Sequence, residues 1–340
     1  MYKRVGEQTV KLEKKPKIIA TTSVVGPKEG QGPLNSYFDV ILKDDTNGQD
    51  TFEKAESSIM YLAIKETIKK AKLQETDINY LFAGDLLNQT ISSNYVARNL
   101  NIPFFGLYGA CSTMAESLSL ASLVLDGGFA KYAIACTSSH FSTAERQFRY
   151  PLEFGSQRAE TAQWTVTGSG AMLLAMEGDY PEVTYITTGK VKDYGITDAN
   201  NMGAAMAPAA VSTINQHFKD TKFKVEDYDL IISGDLGKVG KEITETLLLE
   251  EHGIDIRKIY MDSGVVIFDS EAQNTASGGS GCGCSAVVGC GYVYKNLLKG
   301  KYKRVLLIST GALMSPISSY QGESIPGIAH AVTIEYHKEG

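Results

Sequence analysis

The sequence predicts a layered α/β protein built from two similar halves. Short apolar runs rich in β-branched residues alternate along the chain with segments of helical periodicity, which is typical of helices packed on a sheet. Two pairs of segments also repeat in the same order. Residues 78–86 (INYLFAGDL) parallel residues 228–236 (YDLIISGDL), and residues 127–137 (GGFAKYAIACT) parallel residues 300–310 (GKYKRVLLIST). Two matches in one order indicate an internal duplication.

The duplication divides the chain into residues 1–178 and residues 179–340, which join near Gly178. Pairing of two such halves leaves a cleft between them. An interface of this kind is a favoured place for a ligand site. We therefore expect the functional residues where the two halves meet.

The elements of the first half follow from its apolar pattern and its glycine and proline punctuation. The first strand (KIIATTSVV) is stopped by Gly26 and Pro27, the first helix has an apolar stripe with lysines at its C-terminal end, and the second helix closes at Gly127 and Gly128. The predicted order is strand 17–25, helix 56–71, strand 78–83, helix 112–125, strand 132–136, a long polar and aromatic loop 138–164, and strand 165–175. Loops of that length are usually functional.

The second half repeats this alternation. Its strands are again short β-branched runs, and its helices carry charged residues opposite an apolar face. The predicted order is helix 204–218, strand 229–233, helix 239–251, a glycine-rich segment 278–283, a helix that ends near residue 298, strand 304–309 and strand 329–336.

Composition excludes several classes of function. The 340 residues contain 33 Lys and Arg against 39 Asp and Glu, a formal net charge of −6, and 43% hydrophobic residues. A general nucleic-acid binder needs a basic field, which this chain lacks. No apolar run approaches the ~18 residues that a bilayer span requires. The first residues, MYKRVGEQTVKLEKKP, carry positive charge without a following apolar stretch, so we expect no secretory signal and a protein on the cytoplasmic side.

The cysteines and the glycine-rich segment give no sign of a metal or cofactor. Five cysteines without a regular framework indicate reduced thiols. Cys282 and Cys284 flank Gly283, but no further Cys pair or spaced His pair completes a zinc site. Residues 278–283 lack the Lys of a phosphate-binding loop, which disfavours nucleotide binding. We therefore predict no metal and no cofactor, and expect the glycines to allow close approach of a helix or ligand.

Cys111 is the first candidate for chemistry. It lies in Tyr-Gly-Ala-Cys-Ser-Thr (108–113), at a corner between a strand and a helix. The positive end of a helix dipole favours thiolate over thiol, so this cysteine is a candidate nucleophile. The same corner, with Ser112, could instead bind an anion on free backbone N–H groups. Both interpretations remain open from the residues alone.

At this point the chain resembles the thiolase superfamily, and within it the ketoacyl synthase III type. The resemblance rests on the duplicated halves, the Cys before the helix that runs to Asp126, and the Asn-Thr-Ala-Ser motif (274–277) before a glycine-rich helix. It implies a fold of five layers, α/β/α/β/α. It also implies that Cys111 falls on the acylated nucleophile of those enzymes and Asn274 on their Asn, which acts with a His on the thioester oxyanion.

The sequence departs from that family at the His. The resemblance places it after the strand 229–233, where this chain has Ser-Gly-Asp, so Gly234 stands at the His position. The second Cys of thiolases is also missing from the corresponding loop, which contains Gly311. His140 follows the strand after the Cys helix and is the one histidine that could approach the cleft in its place. A condensing enzyme is therefore disfavoured.

A narrower resemblance is carried by residues 25–34 (VGPKEGQGPL), 144–155 (AERQFRYPLEFG) and 161–171 (TAQWTVTGSGA). These segments are similar to the stage V sporulation protein AD family of spore-forming bacteria. The resemblance implies a thiolase-like protein that binds dipicolinic acid (pyridine-2,6-dicarboxylate) or its calcium chelate. It further implies work with membrane proteins of the same sporulation operon, on the cytoplasmic side of the inner membrane of the forespore or spore. A homodimer is implied by the superfamily.

Dipicolinate is a flat dianion, which favours cations or N–H donors at its carboxylates and a flat apolar wall at its ring. Arg146 and Arg149 could supply the cations and Trp164 the wall. We predict a non-catalytic binding protein. Its ligand site is expected to include Cys111, Ser112, His140, Arg146, Arg149, Trp164, Gly234, Asn274 and Gly311. The alternatives are an acyltransferase of ketoacyl synthase III type that uses Cys111, and a scaffold whose cleft is vestigial.

Overall fold

The structure, a computed structural model, describes residues 3–148 and 158–337. Its strands are β1 (Thr9–Lys11), β2 (Lys17–Val25), β3 (Val40–Ile41), β4 (Tyr80–Gly84), β5 (Phe104–Gly106), β6 (Ala133–Ser139), β7 (Trp164–Thr165), β8 (Gly168–Ala175), β9 (Glu182–Thr187), β10 (Leu230–Ser233), β11 (Tyr260–Asp262), β12 (Gly279–Ser280), β13 (Arg304–Ala312) and β14 (Gly327–Glu335).

The helices are α1 (Phe52–Lys70), α2 (Ile91–Leu100), α3 (Thr113–Asp126), α4 (Phe141–Phe148), α5 (Met202–Thr221), α6 (Gly237–His252), α7 (Ser263–Ile267), α8 (Cys282–Val288), α9 (Tyr294–Leu298) and α10 (Pro316–Tyr320). One π-helical turn, Gly289–Val293, joins α8 to α9. None of the helices that the structure describes is both long enough and apolar enough to cross a membrane.

The sheet shows the duplication directly. Its strand order is β11-β10-β13-β14-β9-β2-β8-β6-β4-β5, so five strands of each half follow one another in mirrored sequence. In the first half β4 is parallel to β5 and β6, and β8 is antiparallel to β6 and β2. In the second half β10 is parallel to β11 and β13, and β14 is antiparallel to β13 and β9. The predicted pair of similar α/β halves is confirmed.

The repeat extends to single hydrogen bonds. Asn79, just before β4, accepts backbone N–H bonds of 2.7 and 3.0 Å from the two residues that precede β6. Asp229, just before β10, accepts bonds of 2.7 and 2.9 Å from the chain at the start of β13. One short polar side chain thus ties the same two strands together in each half. The boundary between residues 178 and 179 stays a prediction, since β1 pairs with β9 across it.

The predicted five layers are present. The helix α1 packs on β2, β6 and β8 on one outer side, and α5 packs on β9, β13 and β14 on the other, with α6 beside it. Between the halves lie α3 and α8, which contact each other and strands of both halves. All seven residues of α8 are buried, as is most of α3, because both helices have a sheet or a helix on every side.

Several elements differ from the sequence prediction. The segment 138–164 was expected to be a long loop, yet β6 continues to Ser139 and α4 follows at once, with four of its residues buried. The elements α2, β5, β9, β11 and α7 were not predicted. Of these, β5 and β11 are three-residue strands at the two edges of the sheet, where few neighbours impose an apolar pattern.

A cavity beside Cys111 at the meeting of the two halves

Cys111 lies on a tight turn that leads into α3. The preceding Ala110 has φ of 50°, a left-handed conformation that costs a non-glycine residue about 1 kcal/mol. Side chains hold this turn: the hydroxyl of Ser112 donates to the carbonyl of Gly109 at 2.7 Å, and that of Thr113 donates to the carbonyl of Ala110 at 2.7 Å. The hydroxyl of Ser112 is therefore engaged in the turn itself.

The thiol of Cys111 is held as a thiol. The residue is 6% exposed, and burial raises its pKa well above the ordinary value. The nearby carboxyl group of Asp235 and the thiol of Cys282 raise that pKa further, and the thiol donates a hydrogen bond to Asp235. Burial and negative surroundings outweigh the helix dipole, which was expected to favour the thiolate. The interpretation of Cys111 as an activated nucleophile is not supported by this environment.

Gly234 is tightly packed against the start of α8 and against β13. A Cβ at this position would lie 3.2 Å from Cβ of Ser285, 3.3 Å from Cα of Ser309 and 3.4 Å from the backbone nitrogen of Thr310. Two of these atoms belong to the backbone of β13, so they cannot rotate away. A side chain at this position therefore requires its neighbours to shift by a few tenths of an ångström. The backbone around Gly234 is thus packed for the absence of a side chain.

The next residue, Asp235, is the side chain that this turn sends toward Cys111. Its carboxyl group accepts hydrogen bonds from the hydroxyl of Thr310 at 3.0 Å and from the backbone N–H of Gly281 at 2.8 Å. Burial raises its pKa to about 7, against the lowering effect of these bonds. Sequence reasoning missed this residue. The signal was present in the repeated Gly-Asp-Leu of residues 84–86 and 234–236, which served only to identify the duplication.

A second buried carboxylate fixes the turn that carries Asp235. Asp262, at the end of β11, accepts the backbone N–H groups of Leu236 and Gly237, each at 2.9 Å. It also accepts the hydroxyl hydrogen bond of Ser233 at 2.6 Å. Burial raises the pKa of Asp262 to about 6. The position of Asp235 is therefore set by bonds on both sides of its turn.

Gly311 forms the opposite side of the Cys111 turn. A Cβ at Gly311 would lie 2.3 Å from the carbonyl oxygen of Gly109, 3.1 Å from the nitrogen of Ser112 and 3.3 Å from the nitrogen of Cys111. Only a residue without a side chain allows β13 to approach the turn this closely. Gly311 therefore lies against Cys111 and Ser112, while Gly234 lies one residue before Asp235 and packs on Ser309 and Thr310. That these residues bind a ligand stays a prediction.

A small cavity opens beside the thiol of Cys111. It measures about 30 Å³, room for about two water molecules. Its residues come from both halves, and the pairing of β7 with β12 places Thr165 next to Ser280 in its wall. The wall is mostly apolar, and it consists of Leu86, Tyr108, Ala110, Cys111, Ala144, Phe148, Thr165, Met202, Ser280, Ala312 and Met314.

Two more carboxyl groups lie behind this wall. Asp85, the counterpart of Asp235 in the first half, accepts N–H and O–H bonds from Ser93 at 2.8 and 2.6 Å. Glu56 accepts hydroxyl bonds from Ser138 at 3.1 Å and Thr143 at 2.7 Å. Burial, followed by the charge of Asp85, raises the pKa of Glu56 to about 8. The surroundings of the cavity are thus rich in carboxyl groups.

His140 does not approach the cavity. Its Nδ1 accepts the backbone N–H of Ser142 at 3.1 Å, so its Nε2 is the protonated nitrogen and donates to the carbonyl of Asp45 at 2.7 Å. The ring is fully buried, which lowers its pKa. Both ring nitrogens are engaged away from Cys111. The expectation that His140 replaces the missing histidine is therefore wrong in geometry.

Arg146 and Trp164 lie away from this cavity. Arg146 forms an ion pair with Glu53 at the surface, and Arg149 lies outside the described residues. Trp164 stacks on Phe141 at 3.8 Å, while Lys28 lies over its ring at 3.9 Å. It faces an open groove of about 950 Å³ on the surface instead of the cavity.

Asn274 also lines this groove and is exposed, so the structure does not bring it to Cys111. The residue that this segment supplies to the cavity is Ser280, further along the chain. Positive φ angles at Gly278 and Gly281 turn the intervening backbone. The motif predicts Asn274 beside Cys111, whereas the structure places Ser280 of the same segment there.

No metal-binding cluster of three or more His, Cys, Asp or Glu side chains is found in residues 3–148 and 158–337. All five cysteines are buried free thiols. The arrangement beside Cys111 offers a neutral thiol, hydroxyl groups, a carboxyl group and apolar side chains. These groups can bind and orient a small molecule, whereas a carbon–carbon bond-forming reaction of the thiolase type lacks its histidine here.

Comparison with known proteins gives one family and one fold. The sequence profile of the family described as stage V sporulation protein AD (SpoVAD) matches residues 6–335. The chain is 47% identical over 333 residues to the stage V sporulation protein AD of Bacillus subtilis (strain 168), an alignment that covers 98% of each protein.

Solved structures of lower identity share the fold. The 3-oxoacyl-[acyl-carrier-protein] synthase III of Aquifex aeolicus VF5 superposes with a TM-score of 0.58 at 14% identity, covering 94% of this chain and 100% of the other. A structure of OleA from Xanthomonas campestris gives 0.60 at 15% identity, with 95% and 98% covered. A further OleA structure, with cerulenin, gives 0.61 at 16% identity, with 99% and 100% covered. At this identity the likeness supports the thiolase-like fold alone.

Proposed function

The chain belongs to the stage V sporulation protein AD family, and from that premise we propose that it binds dipicolinic acid, or its calcium chelate, without covalent chemistry. The ligand would occupy an enlarged form of the cavity beside Cys111. In this proposal the protein acts in sporulation by holding the ligand for uptake into the developing spore. The thiolase-like fold is retained, while the reaction of the fold is not.

The observation that carries this proposal is the packing at Gly234. The position of the histidine is taken by a glycine that packs tightly against the backbone of Ser309 and Thr310, and burial beside Asp235 raises the pKa of the Cys111 thiol. A thioester reaction requires a nucleophilic thiolate and a stabilised oxyanion. A site without a histidine and with a raised thiol pKa is suited to equilibrium binding.

The wall of the cavity suits a flat ring. Tyr108, which is 44% exposed, lines the cavity together with Phe148 and two methionines, and these side chains form its apolar surface. Ser280 and Thr165 supply hydroxyl groups. The present volume of about 30 Å³ is too small for a pyridine ring with two carboxylates. Methionine side chains rearrange at low cost. We therefore expect Met202 and Met314 to move when the ligand enters.

The groove at Trp164 is a weaker candidate for the ring. Phe141 is stacked on the indole, and Lys28 and Arg158 both lie against it, at 3.9 and 4.7 Å from the ring centre. Arg158 also pairs with Glu145 at 2.7 Å. Little indole surface is left for stacking, and the arginine is already bound to a carboxylate. We therefore prefer the cavity beside Cys111 as the binding site for dipicolinate.

Calorimetric titration of the full chain tests the proposal. Dipicolinate is compared with isophthalate, which keeps both carboxylates and lacks the ring nitrogen, each with and without calcium. We expect saturable binding of dipicolinate, strong weakening in Cys111→Trp, and retention in the control Cys111→Ser, which is similar in size and polarity. Thermal melts of both variants check folding. Equal binding by a folded Cys111→Trp would exclude the cavity, and no heat at millimolar dipicolinate would reject the ligand.

The acyltransferase alternative is favoured by the survival of Cys111 on its strained turn. It predicts a stable mass increase on Cys111 after incubation with acyl-CoA, abolished in Cys111→Ser. Our proposal predicts an unmodified protein under the same conditions. A vestigial cleft in a scaffold predicts neither modification nor ligand binding.

Self-association and membrane partners belong to the same proposal. Among the described residues no strand pairs with the outer edge of β5, and Phe105 within this strand is 53% exposed. Such an edge is suited to pairing with a second copy. We propose a homodimer through β5, held at the cytoplasmic side of the inner forespore membrane by membrane proteins of the same operon.

A further inference from the structure

The cavity beside Cys111 poses a charge problem for a dianionic ligand. None of the described residues that line it is Lys, Arg or His, and the ionisable groups close to it are thiols, carboxyls and the phenol of Tyr108, none of which is a cation. Arg146 is paired with Glu53, and Arg158 with Glu145. A dianion cannot be moved from water into such surroundings unless its charge is balanced.

Asp235 is the buried carboxyl group whose protonation could reduce the negative charge beside the cavity. It lies behind the cavity wall, where its carboxyl group contacts two residues that line the cavity: the thiol of Cys111 and, at a longer distance of 3.5 Å, the hydroxyl of Ser280. Its side chain is fully buried. As a carboxylate it would repel an incoming anion. As a carboxylic acid it carries no charge, so this repulsion is absent.

We propose that Asp235 takes up one proton from solution when a dianionic ligand enters the cavity, and so makes binding of the free dianion depend on pH. The inference rests on the proposed function, since it concerns the ligand of the same cavity. The calcium chelate of dipicolinate has no net charge, because two carboxylates meet one divalent cation. It therefore binds without this proton.

The surroundings of Asp235 favour proton uptake near neutral pH. The titratable groups that face it are the thiols of Cys111, Cys282 and Cys284 and the carboxyl of Asp262, and no cation is among these described neighbours. Burial raises the pKa of Asp235 to about 7 in the free protein. The hydrogen bond from Thr310 lowers that pKa, so near neutral pH a part of the free protein carries Asp235 as the carboxylate.

The sign of the pH effect follows from linkage. A ligand that favours the protonated form binds with constant affinity below the pKa of the free protein and loses affinity above it. With a pKa of about 7, the affinity for free dipicolinate should fall about tenfold for each pH unit above 7. Proton uptake should rise from less than half a proton per ligand at pH 6.5 to about one at pH 8.5.

The test is calorimetry of the full chain in buffers of different ionisation enthalpy, which reports the protons taken up for each dipicolinate bound. The wild-type protein should show the uptake described above, and calcium dipicolinate should show none. Asp235→Asn imitates the protonated side chain, because its amide can donate to Thr310 while its oxygen accepts from Gly281. It should bind free dipicolinate with no uptake and an affinity that is level from pH 6.5 to 8.5.

Two further variants keep the test decisive. Glu56→Gln removes another buried carboxyl that titrates in this range and should leave the slope unchanged. Thr310→Val removes a hydrogen bond that lowers the pKa of Asp235, so the fall in affinity should begin at a higher pH in this variant. This variant tests the role of Asp235 independently, in case the Asp235→Asn protein does not fold. Saturable wild-type binding at pH 8.5 without proton uptake would overturn this inference alone. No binding of dipicolinate at any pH would instead overturn the proposed function.

Discussion

Substitution of Gly311 by Ala tests the contact between β13 and the Cys111 turn. The new Cβ would lie 2.3 Å from the carbonyl oxygen of Gly109, about 1 Å inside an ordinary carbon–oxygen contact. Both partners are backbone, so the clash is relieved only by moving β13 or the turn. Overpacking of this kind costs about 3 kcal/mol. For a chain of this size we expect the melting temperature to fall by about 5 °C.

Urea unfolding and dipicolinate titration are the assays for this prediction. Gly311→Ala should lower the urea midpoint and weaken ligand binding, because the wall of the cavity shifts. Gly289→Ala is the matched control, since the nearest atom to its new Cβ is the mobile methyl of Met172 at 3.3 Å. Its stability should be unchanged or slightly higher, as for Gly→Ala within a helix. A Gly311→Ala protein as stable as the control would refute the close contact.

Three other substitutions probe separate parts of the account. Ala110→Gly should raise the free energy of unfolding by about 1 kcal/mol because it relieves φ of 50°; an unchanged urea midpoint would argue against a left-handed turn. Burial raises the pKa of Glu56 from 4.5 to about 8, so its contribution to stability is complete below its ordinary pKa and is lost as the pH rises to 8. The unfolding free energy of Glu56→Gln should therefore exceed that of the wild type by about 5 kcal/mol at pH 8.5 and by about 1 kcal/mol at pH 5. The same gain at both pH values would exclude titration of Glu56 as its cause. Phe105→Asp should convert the dimer into a monomer, as measured by light scattering. The control is Phe129→Asp, which changes a side chain that is 75% exposed and lies outside β5, and this variant should stay dimeric. A dimeric Phe105→Asp protein would rule out β5 as the interface.

The sequence predicted the fold to the extent that burial imposes a pattern. The strands β2, β6 and β13 are buried along almost their whole length, so they appear as continuous apolar runs. The edge strands β5 and β11 contain only three residues and carry no comparable signal. The helix α4 was taken for loop because its buried residues are mainly Ser, Thr and Glu.

Local chain geometry determines part of the candidate site. Cys111, Ser112 and Gly311 lie together because a strand and a helix start are brought together by the duplicated topology, whereas their role in ligand binding stays a prediction. Asn274 was misplaced because glycines with positive φ allow the backbone to turn in ways that a motif cannot specify. Asp235 was missed because its role depends on a contact with Cys111 in the other half of the chain.

A crystal structure of the full chain grown with calcium dipicolinate is the most direct test of the central claim. We expect a planar ring beside Cys111, with Met202 and Met314 displaced and Sγ of Cys111 at a non-bonded distance from the ligand. A ring seated against Trp164, or a covalent bond from Sγ, would contradict it.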